Sequence, residues 1–370
     1  MGNSAGTPTG FGVYNCTVES SVSVTSTSTD EENAPDIYVG GIIGYCGNLI
    51  IQDCTSAASV SGSTCVGGIA GLLYEGTIQD CFYTGNSTFT EETTGVIAGD
   101  RGGYDEYDHF ISGSEGTISL TLYDNDSEAP VTNALRLDYY NGVEDVDVTL
   151  NGRSLLKTGD WNTLCLPFAL SAEQIADSPL TGTTTKELDN SASGTSLSNT
   201  GELTLKFSTV TAIEAGVPYI VKWETTGDNI TNPVFTGVTI SSTEAQEVTS
   251  TDTNVKFVGQ YSPFAITNDN INEILFVGTG NKIGYSKNAR TLKSCRAHFW
   301  VQPHGGAGAR SINIDFGEGE TTGIKSIDHL TIDDLRFDAD AWYDMQGRRL
   351  SGQPTQKGLY IVKGKTVMVK

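Results

Sequence analysis

Short runs of apolar and β-branched residues, separated by Gly, Asn, Asp and Ser, follow one another along much of the chain. In the first third these runs repeat. Residues 39–44 (VGGIIG) recur as residues 66–71 (VGGIAG), and residues 51–54 (IQDC) recur as residues 78–81, both at an offset of 27 residues. A unit built of such short strands cannot bury its own apolar face, whereas copies stacked about 4.8 Å apart share one. The pattern therefore predicts a short β-solenoid over residues 1–117.

Two partial copies flank the matched pair. Cys16 lies 38 residues before Cys54, which fits an insertion around the acidic run 28–32, and residues 95–99 repeat part of the glycine-rich sequence. The glycine pairs meet the need of tight corners for positive φ or close backbone approach. Stacking would place Cys16, Cys54 and Cys81 in one column. We expect buried free thiols there, although such a column also permits a disulfide by distance.

From about residue 118 the pattern changes to strand-length runs separated by turn residues, which predicts a β-sandwich over residues 118–325. The predicted strands are residues 134–140, 146–150, 161–166, 202–209, 218–223, 234–240, 255–261, 274–278, 293–301 and 311–316. One short helix is predicted over residues 172–176, because Ser171 can cap it and Gln174 can complete a capping box. Residues 326–370 predict a small C-terminal β-meander, so the expected fold is all-β in three segments.

Charge and hydropathy exclude several classes of function. The chain has 45 Asp and Glu against 22 Lys and Arg, a net charge of −23, which argues against binding to nucleic acid or to an anionic membrane surface. No window approaches 18 consecutive apolar residues, so we expect no membrane insertion. Residues 1–10 also lack the basic start and apolar core of a signal peptide. The charge is uneven, because residues 341–370 contain six bases and one acid.

Two acidic groups are candidate calcium ligands. Asp124, Asp126 and Glu128 have the alternate spacing of a calcium loop, but the glycine and the bidentate glutamate of such a loop are absent from the positions that follow. Asp105 and Asp108 belong to a second acidic group. Calcium binding and a solvated surface that keeps the protein soluble both remain open for these residues. No other cofactor is indicated.

Other candidate chemistry favours structural roles. His298 and His304 have no third ligand at a recognisable spacing, which favours structural or surface histidines over a metal pair. The G-x-S-x-G and H-E-x-x-H signatures of hydrolases are absent from the sequence. Residues 358–366 contain Gly-Lys-Thr but have the wrong glycine spacing for a phosphate loop, and we predict a hairpin there. Core packing is predicted for the tryptophans of three strands: Trp161, Trp223 and Trp300.

The repeat resembles a known sequence motif. Residues 66–85 (VGGIAGLLYEGTIQDCFYTG) are similar to the GLUG motif, a repeat of large bacterial surface proteins that also occurs beside peptidase domains. The resemblance covers residues 39–99 well and residues 10–38 loosely. Asp53 and Asp80 stand where the motif usually has Asn before Cys. The resemblance implies extracellular presentation and brings no catalytic residues.

Two further resemblances point to export. Residues 130–325, with words such as WNTLCLPF at 161–168 and GVPYIV at 216–221, are similar to a β-rich module of multidomain surface proteins of gut anaerobes. The tail resembles the C-terminal sorting domain of the type IX secretion pathway. Its matching positions are Asp344, Gly347, Arg348, Lys357, Gly358, Tyr360, Val362 and Gly364.

Together these features predict a non-enzymatic bacterial protein, at the cell surface or secreted, that adheres to a host or matrix protein or glycan. The alternative is an accessory, non-catalytic region of a secreted peptidase or glycoside hydrolase. A third reading, an enzyme carried by these residues, would require an arrangement of side chains that the sequence does not reveal.

Overall fold

The computed structural model describes residues 11–26, 37–62, 65–85, 94–104, 110–112, 116–129, 131–278, 280–303, 309–317, 321–324, 358–362 and 365–369. Strands dominate this part of the chain, which contains only two α-helices, and the all-β class is confirmed. Neither helix is long and apolar enough to cross a membrane.

The copies of the repeat pair with one another in parallel ladders, to which successive copies contribute successive strands. The first ladder joins Gly12–Tyr14, Ile50–Gln52, Thr77–Gln79 and Thr117–Tyr123, and the second joins Thr17–Val18, Thr55–Ser56 and Phe82–Tyr83. The third ladder has two strands, Ser23–Thr25 and Ser59–Ser61. The fourth joins Val39–Gly40, Val66–Gly67 and Thr94–Gly95, and the fifth joins Ile43–Gly47, Ala70–Tyr74 and Ala98–Tyr104. The antiparallel strand Phe110–Ser112 extends the fifth ladder.

The register of the ladders reproduces the period of the sequence. Ile51 pairs with Ile78 in the first ladder, and Ile43 pairs with Ala70 in the fifth, each at a separation of 27 residues. Ile51 and Ile78 are both fully buried and belong to one apolar cluster. The two matched copies therefore lie one over the other and share an interior.

Close backbone approach explains the glycine pairs. A Cβ atom on Gly40 would overlap the carbonyl oxygen of Ile43, and a Cβ atom on Gly67 would overlap that of Ala70. Neither glycine has positive φ. The sequence left two reasons open for glycine at these positions, positive φ and close backbone approach. The structure shows that close approach is the reason at Gly40 and Gly67.

Asn and Asp occupy one left-handed corner of the repeat, the one that precedes the cysteine. Asn15, Asp53 and Asp80 stand at the same place in three successive copies, each directly before a cysteine, with φ of 53°, 53° and 50°. Short side chains that can hydrogen-bond locally make Asn and Asp the residues, after Gly, that best tolerate this conformation. The exchange of Asn for Asp at this corner thus preserves the backbone geometry.

The cysteine column is present, and all seven cysteines are free thiols. The amide of Cys16 donates to Sγ of Cys54 over 3.3 Å, and Sγ of Cys81 donates to the carbonyl oxygen of Ile51 over 3.3 Å. Cys54 and Cys81 are fully buried as predicted, whereas Cys16 is only partly buried. These thiols act as small core residues with weak hydrogen bonds to the backbone of the adjacent copy.

The first ladder continues beyond the repeats. Strand Thr117–Tyr123 pairs in parallel with Val146–Asn151, which pairs antiparallel with Val234–Val238. The apolar cluster that contains the isoleucines of the repeats also contains Leu120 and Leu164. Core and sheet are therefore continuous across residue 117, and the domain boundaries at residues 117 and 325 stay a prediction.

Residues 134–140, predicted as a strand, form most of helix α1, Asn133–Tyr140, so that prediction was wrong. The Thr132 side chain accepts a hydrogen bond from the amide of Leu135 and caps the helix. Burial follows helical spacing, with four buried residues: Asn133, Arg136, Leu137 and Tyr140. Leu135, Leu137 and Tyr139 also alternate with polar residues, so the sequence fits both the two-residue period of a strand and the 3.6-residue period of a helix. The Thr132 cap and the buried face favour the helix.

Helix α2, Ala172–Ala176, confirms the second helix at its predicted limits. Ser171 Oγ accepts from the amide of Gln174, and the Gln174 side chain accepts from the amide of Ser171. The reciprocal pair is the predicted capping box.

Two sheets form the rest of the fold. One contains Asn162–Cys165, Pro218–Trp223, Thr183–Leu188, Glu202–Val210, Ser311–Asp315 and Thr321–Ile324, with Ser196–Leu197 beside Glu202–Val210; the other contains Glu247–Thr249, Val255–Gln260, Arg296–Val301, Ile274–Gly278 and Lys282–Tyr285. Phe207 of the first sheet lies 6.2 Å, between ring centroids, from both Phe257 and Phe299 of the second. The sheets thus share a second apolar cluster.

Three two-stranded pairings complete the described structure: Ser154–Leu155 with Ile230–Thr231, Phe264–Ile266 with Arg290–Leu292, and Gly358–Val362 with Lys365–Val369. The last is the hairpin predicted over residues 358–366. The rest of the predicted meander, residues 326–357, lies outside the described residues.

Candidate functional site

Both described carboxylates of the first acidic group are held by protein groups. The Asp124 carboxylate, 4% exposed, is paired with the Arg296 guanidinium and lies 3.1 Å from Nζ of Lys293. Oδ2 of Asp126 accepts a hydrogen bond of 2.7 Å from the Ser262 hydroxyl. These contacts tie the end of the first-ladder strand Thr117–Tyr123 to the second sheet.

The remaining calcium candidates add no further ligand geometry. Glu128 lies in the short 3-10 helix Asp126–Glu128, and Asp105 and Asp108 lie outside the described residues. Across the described ranges, no three His, Cys, Asp or Glu side chains are grouped as a metal ion would require. Calcium binding stays a prediction for both acidic groups.

His298 is a core residue. It is 2% exposed, its Nδ1 lies 2.8 Å from Oε1 of Gln260, and its ring stacks on Phe264 at 4.1 Å between centroids. Burial lowers the pKa of His298 to about 4. The imidazole is therefore neutral at pH 7, as expected for a structural histidine, whereas His304 lies outside the described residues.

The lowered pKa of His298 predicts a pH dependence of stability. The folded state binds fewer protons than the unfolded state between about pH 6.5 and the folded pKa, so the free energy of unfolding falls as pH falls through this window, by about 3 kcal/mol in all. We expect His298→Gln to reduce that slope. Urea unfolding at several pH values measures it, and an unchanged slope in the variant would contradict the assignment.

The tryptophans are held within the fold. Trp161 is buried and stacks on Phe316 at 5.1 Å, and Trp223 is buried with its Nε1 donating to a backbone carbonyl over 2.9 Å. Trp300 is half-buried, and its Nε1 donates to the Glu273 carboxylate over 2.9 Å. Core packing is confirmed for Trp161 and Trp223, whereas the indole of Trp300 is oriented by its hydrogen bond to the Glu273 carboxylate.

Two ion pairs join the repeats to the following structure. Nη1 of Arg136, on α1, lies 2.9 Å from Oδ1 of Asp80, at the corner of the third copy, and both side chains are at most 5% exposed. Burial raises the pKa of Asp80, and the Arg136 charge opposes that rise. Arg101, on the fifth ladder, pairs with Asp145. Sequence reasoning missed both pairs, since their partners are 56 and 44 residues apart.

A row of neutral polar side chains runs across the outer face of the first ladder. Gln79 pairs in register with Gln52 on one side and with Ser119 on the other. All three are partly exposed, while the isoleucines that precede them on their strands are buried, so the polar side chains face outward. We call these three residues the polar row. In the same register, Tyr14 lies beside Gln52 at one end and Asp147 lies beside Ser119 at the other. Thr77 and Thr117 form a parallel row two positions earlier.

The polar row offers hydrogen-bonding groups at a fixed repeat. Neighbouring strands lie about 4.8 Å apart, and an amide side chain both donates and accepts. Because the side chains stand on paired strands over a buried core, their spacing is set before any ligand arrives. The arrangement is suited to a ligand that itself repeats and carries uncharged polar groups.

A groove beside α2 is a second surface feature. It has a volume of about 260 Å³, and Glu173 of the helix and Asp177, which directly follows the helix, line it opposite Phe235 and Thr236. This volume lies below the range of about 300–1,000 Å³ that is usual for small-molecule pockets. The groove is therefore a weaker candidate for ligand binding than the polar row.

The chain was compared with protein-family models, with curated proteins and with solved structures, and no match was found in any of the three comparisons.

Proposed function

We propose that this chain is a non-enzymatic bacterial protein, at the cell surface or secreted, that binds a matrix or host polysaccharide through the polar row. The observation that carries the proposal is the register of Gln52, Gln79 and Ser119 on consecutive parallel strands. A polysaccharide presents uncharged hydroxyl groups at a regular spacing, which is the chemistry that a neutral, evenly spaced row can meet.

The position of the polar row supports this proposal. The row stands on a sheet that continues from the repeats into the following strands and is fixed there by the Asp80–Arg136 ion pair. A rigid surface loses little conformational freedom when a polymer binds, so several weak hydrogen bonds can add up to useful affinity. Location outside the cell is part of the proposal and rests on the resemblance of the repeat to surface proteins.

Binding to a printed array of polysaccharides and matrix proteins tests the proposal. For the polysaccharide that binds best, we expect Gln52→Ala/Gln79→Ala to weaken binding by about tenfold or more, since each lost hydrogen bond contributes about 1 kcal/mol. Thr17→Ala/Thr55→Ala, which changes two residues of the adjacent second ladder, is the matched control and should retain the wild-type affinity.

Three outcomes would contradict the proposal: no polysaccharide bound by the wild-type chain, equal affinity in both double variants, or binding to a protein alone. Turnover of an array component by this chain, abolished by one acidic substitution, would contradict its non-enzymatic character.

A further inference from the structure

Arg153 is a buried cation with very little hydrogen bonding. It lies two residues after strand Val146–Asn151 and is 3% exposed. Its Nη2 donates to the carbonyl oxygen of Thr163 over 2.7 Å, and its Nε is buried without a hydrogen-bond partner among the described residues. A guanidinium has five N–H donors, and leaving one unpaired in the interior is costly.

Within the described part of the chain, no carboxylate forms an ion pair with Arg153. Asp124 lies near enough to attract the Arg153 charge, but its carboxylate is already paired with Arg296 and Lys293. Burial, with repulsion by Arg296, lowers the pKa of Arg153 to about 9. A buried charge usually persists only when it is paired. Here two carboxylates, Asp124 and Asp126, face three cations, Arg153, Arg296 and Lys293, so positive charge is in excess.

Ser294 supplies a second unsatisfied group beside Asp124. It is fully buried, and its Oγ has no hydrogen-bond partner among the described residues. Its amide donates to the carbonyl oxygen of Asp124 over 2.9 Å, and its own carbonyl oxygen accepts from Arg296 over 2.9 Å. On the other side, a Cβ atom on Gly152, next to Arg153, would lie 3.2 Å from Cβ of Asp124. Ser294 thus adjoins Asp124 directly, and Arg153 adjoins it through the preceding Gly152, each from a connection between two strands.

We propose that the interior around Arg153 and Ser294 binds a small monovalent anion such as chloride. The anion accepts hydrogen bonds from the free N–H of Arg153 and from the hydroxyl of Ser294, and it supplies the negative charge that Asp124 alone does not. The chain carries a net charge of −23, which repels anions from its surface in general. Any stabilisation by an anion at constant ionic strength therefore points to a local site.

Thermal unfolding at constant ionic strength, with sodium gluconate replaced stepwise by sodium chloride, tests this site. We expect the midpoint to rise by about 2 °C or more at about 200 mM chloride, since a ligand of the folded state alone stabilises it. Arg153→Met should abolish the rise, and Ser294→Ala should reduce it. Arg310→Met, which removes an exposed arginine remote in sequence from this site, is the control and should keep the full rise.

Crystals grown in bromide give a direct readout, which does not depend on whether Arg153→Met folds. We expect an anomalous peak within hydrogen-bond distance of Arg153 Nε and Ser294 Oγ. A site that contains only water, a midpoint that does not respond to chloride, or a response that persists in Arg153→Met would each overturn the proposal.

Discussion

Replacing Gly67 with alanine is expected to lower the free energy of unfolding by about 3 kcal/mol or more. The added Cβ atom would overlap the carbonyl oxygen of Ala70 and would lie 2.5 Å from the amide nitrogen of Gly99 in the next copy. Both obstacles are backbone atoms. Relief of the first requires the corner 67–70 to rearrange within its own copy, and relief of the second requires the next copy to move away. Urea unfolding followed by circular dichroism measures the loss.

Gly227→Ala is the matched control. A Cβ atom there meets only the end of the Lys157 side chain, at 3.6 Å, and Gly227 is exposed. Its effect should stay within about 0.5 kcal/mol. If Gly67→Ala were as mild as this control, the copies could not be packed as closely as the ladders require.

Arg136→Met is expected to destabilise the protein by about 3–5 kcal/mol at pH 7, because it leaves the buried Asp80 carboxylate without its charged partner. Arg136 also stacks over the rings of Phe82 and Tyr123, at 5.3 and 5.0 Å from their centroids. Methionine retains part of that apolar contact, so the loss of charge dominates the result.

The effect of Arg136→Met should depend on pH. Burial raises the pKa of Asp80 and Arg136 opposes the rise, so the variant raises this pKa further. The folded state then holds the Asp80 proton at pH values where the unfolded state has released it, and stability falls as pH rises through that window. The loss relative to wild type is therefore smaller near pH 4 than at pH 7.

Lys256→Met is the control for Arg136→Met. Lys256 and Glu247 form an ion pair of 2.8 Å in which both side chains are at least one-third exposed. We expect a loss of at most about 1 kcal/mol. An equal loss in the two variants, or a loss in Arg136→Met that does not change with pH, would contradict the role given to the buried pair.

Local signals in the sequence predicted local structure well. The capping box over Ser171 and Gln174 located α2 at its observed limits, because both of its hydrogen bonds lie within four residues. The repeat predicted the pairing of the two matched copies, because a fixed period specifies a register without further information. Nine of the ten predicted strand runs contain an observed strand.

Where two periods fitted the same residues, or where structure depended on distant partners, the sequence did not suffice. Helix α1 was mistaken for a strand because its leucines satisfy both periods. Strands Thr183–Leu188 and Lys282–Tyr285 were not predicted, since the polar residues of the first and the glycine of the second mask any strand pattern. The ion pair of Asp124 with Arg296 joins residues 172 apart, and no local pattern indicates it.

The polar row was likewise predictable only in part from the sequence. The 27-residue period alone aligns Gln52 with Gln79, whereas Ser119 enters the row at a separation of 40 residues, after the hairpin that follows the third copy. Only the three-dimensional pairing reveals that Ser119 stands in line with the two glutamines and that Asp147 follows it in register.

If the two matched copies stack, amide–amide nuclear Overhauser cross-peaks in the deuterated protein join residues separated by 27 positions along strands 50–52 and 77–79, and again along strands 43–47 and 70–74. Cross-peaks between successive amides typical of helix in these segments, or the absence of contacts at that separation, would contradict the stacking.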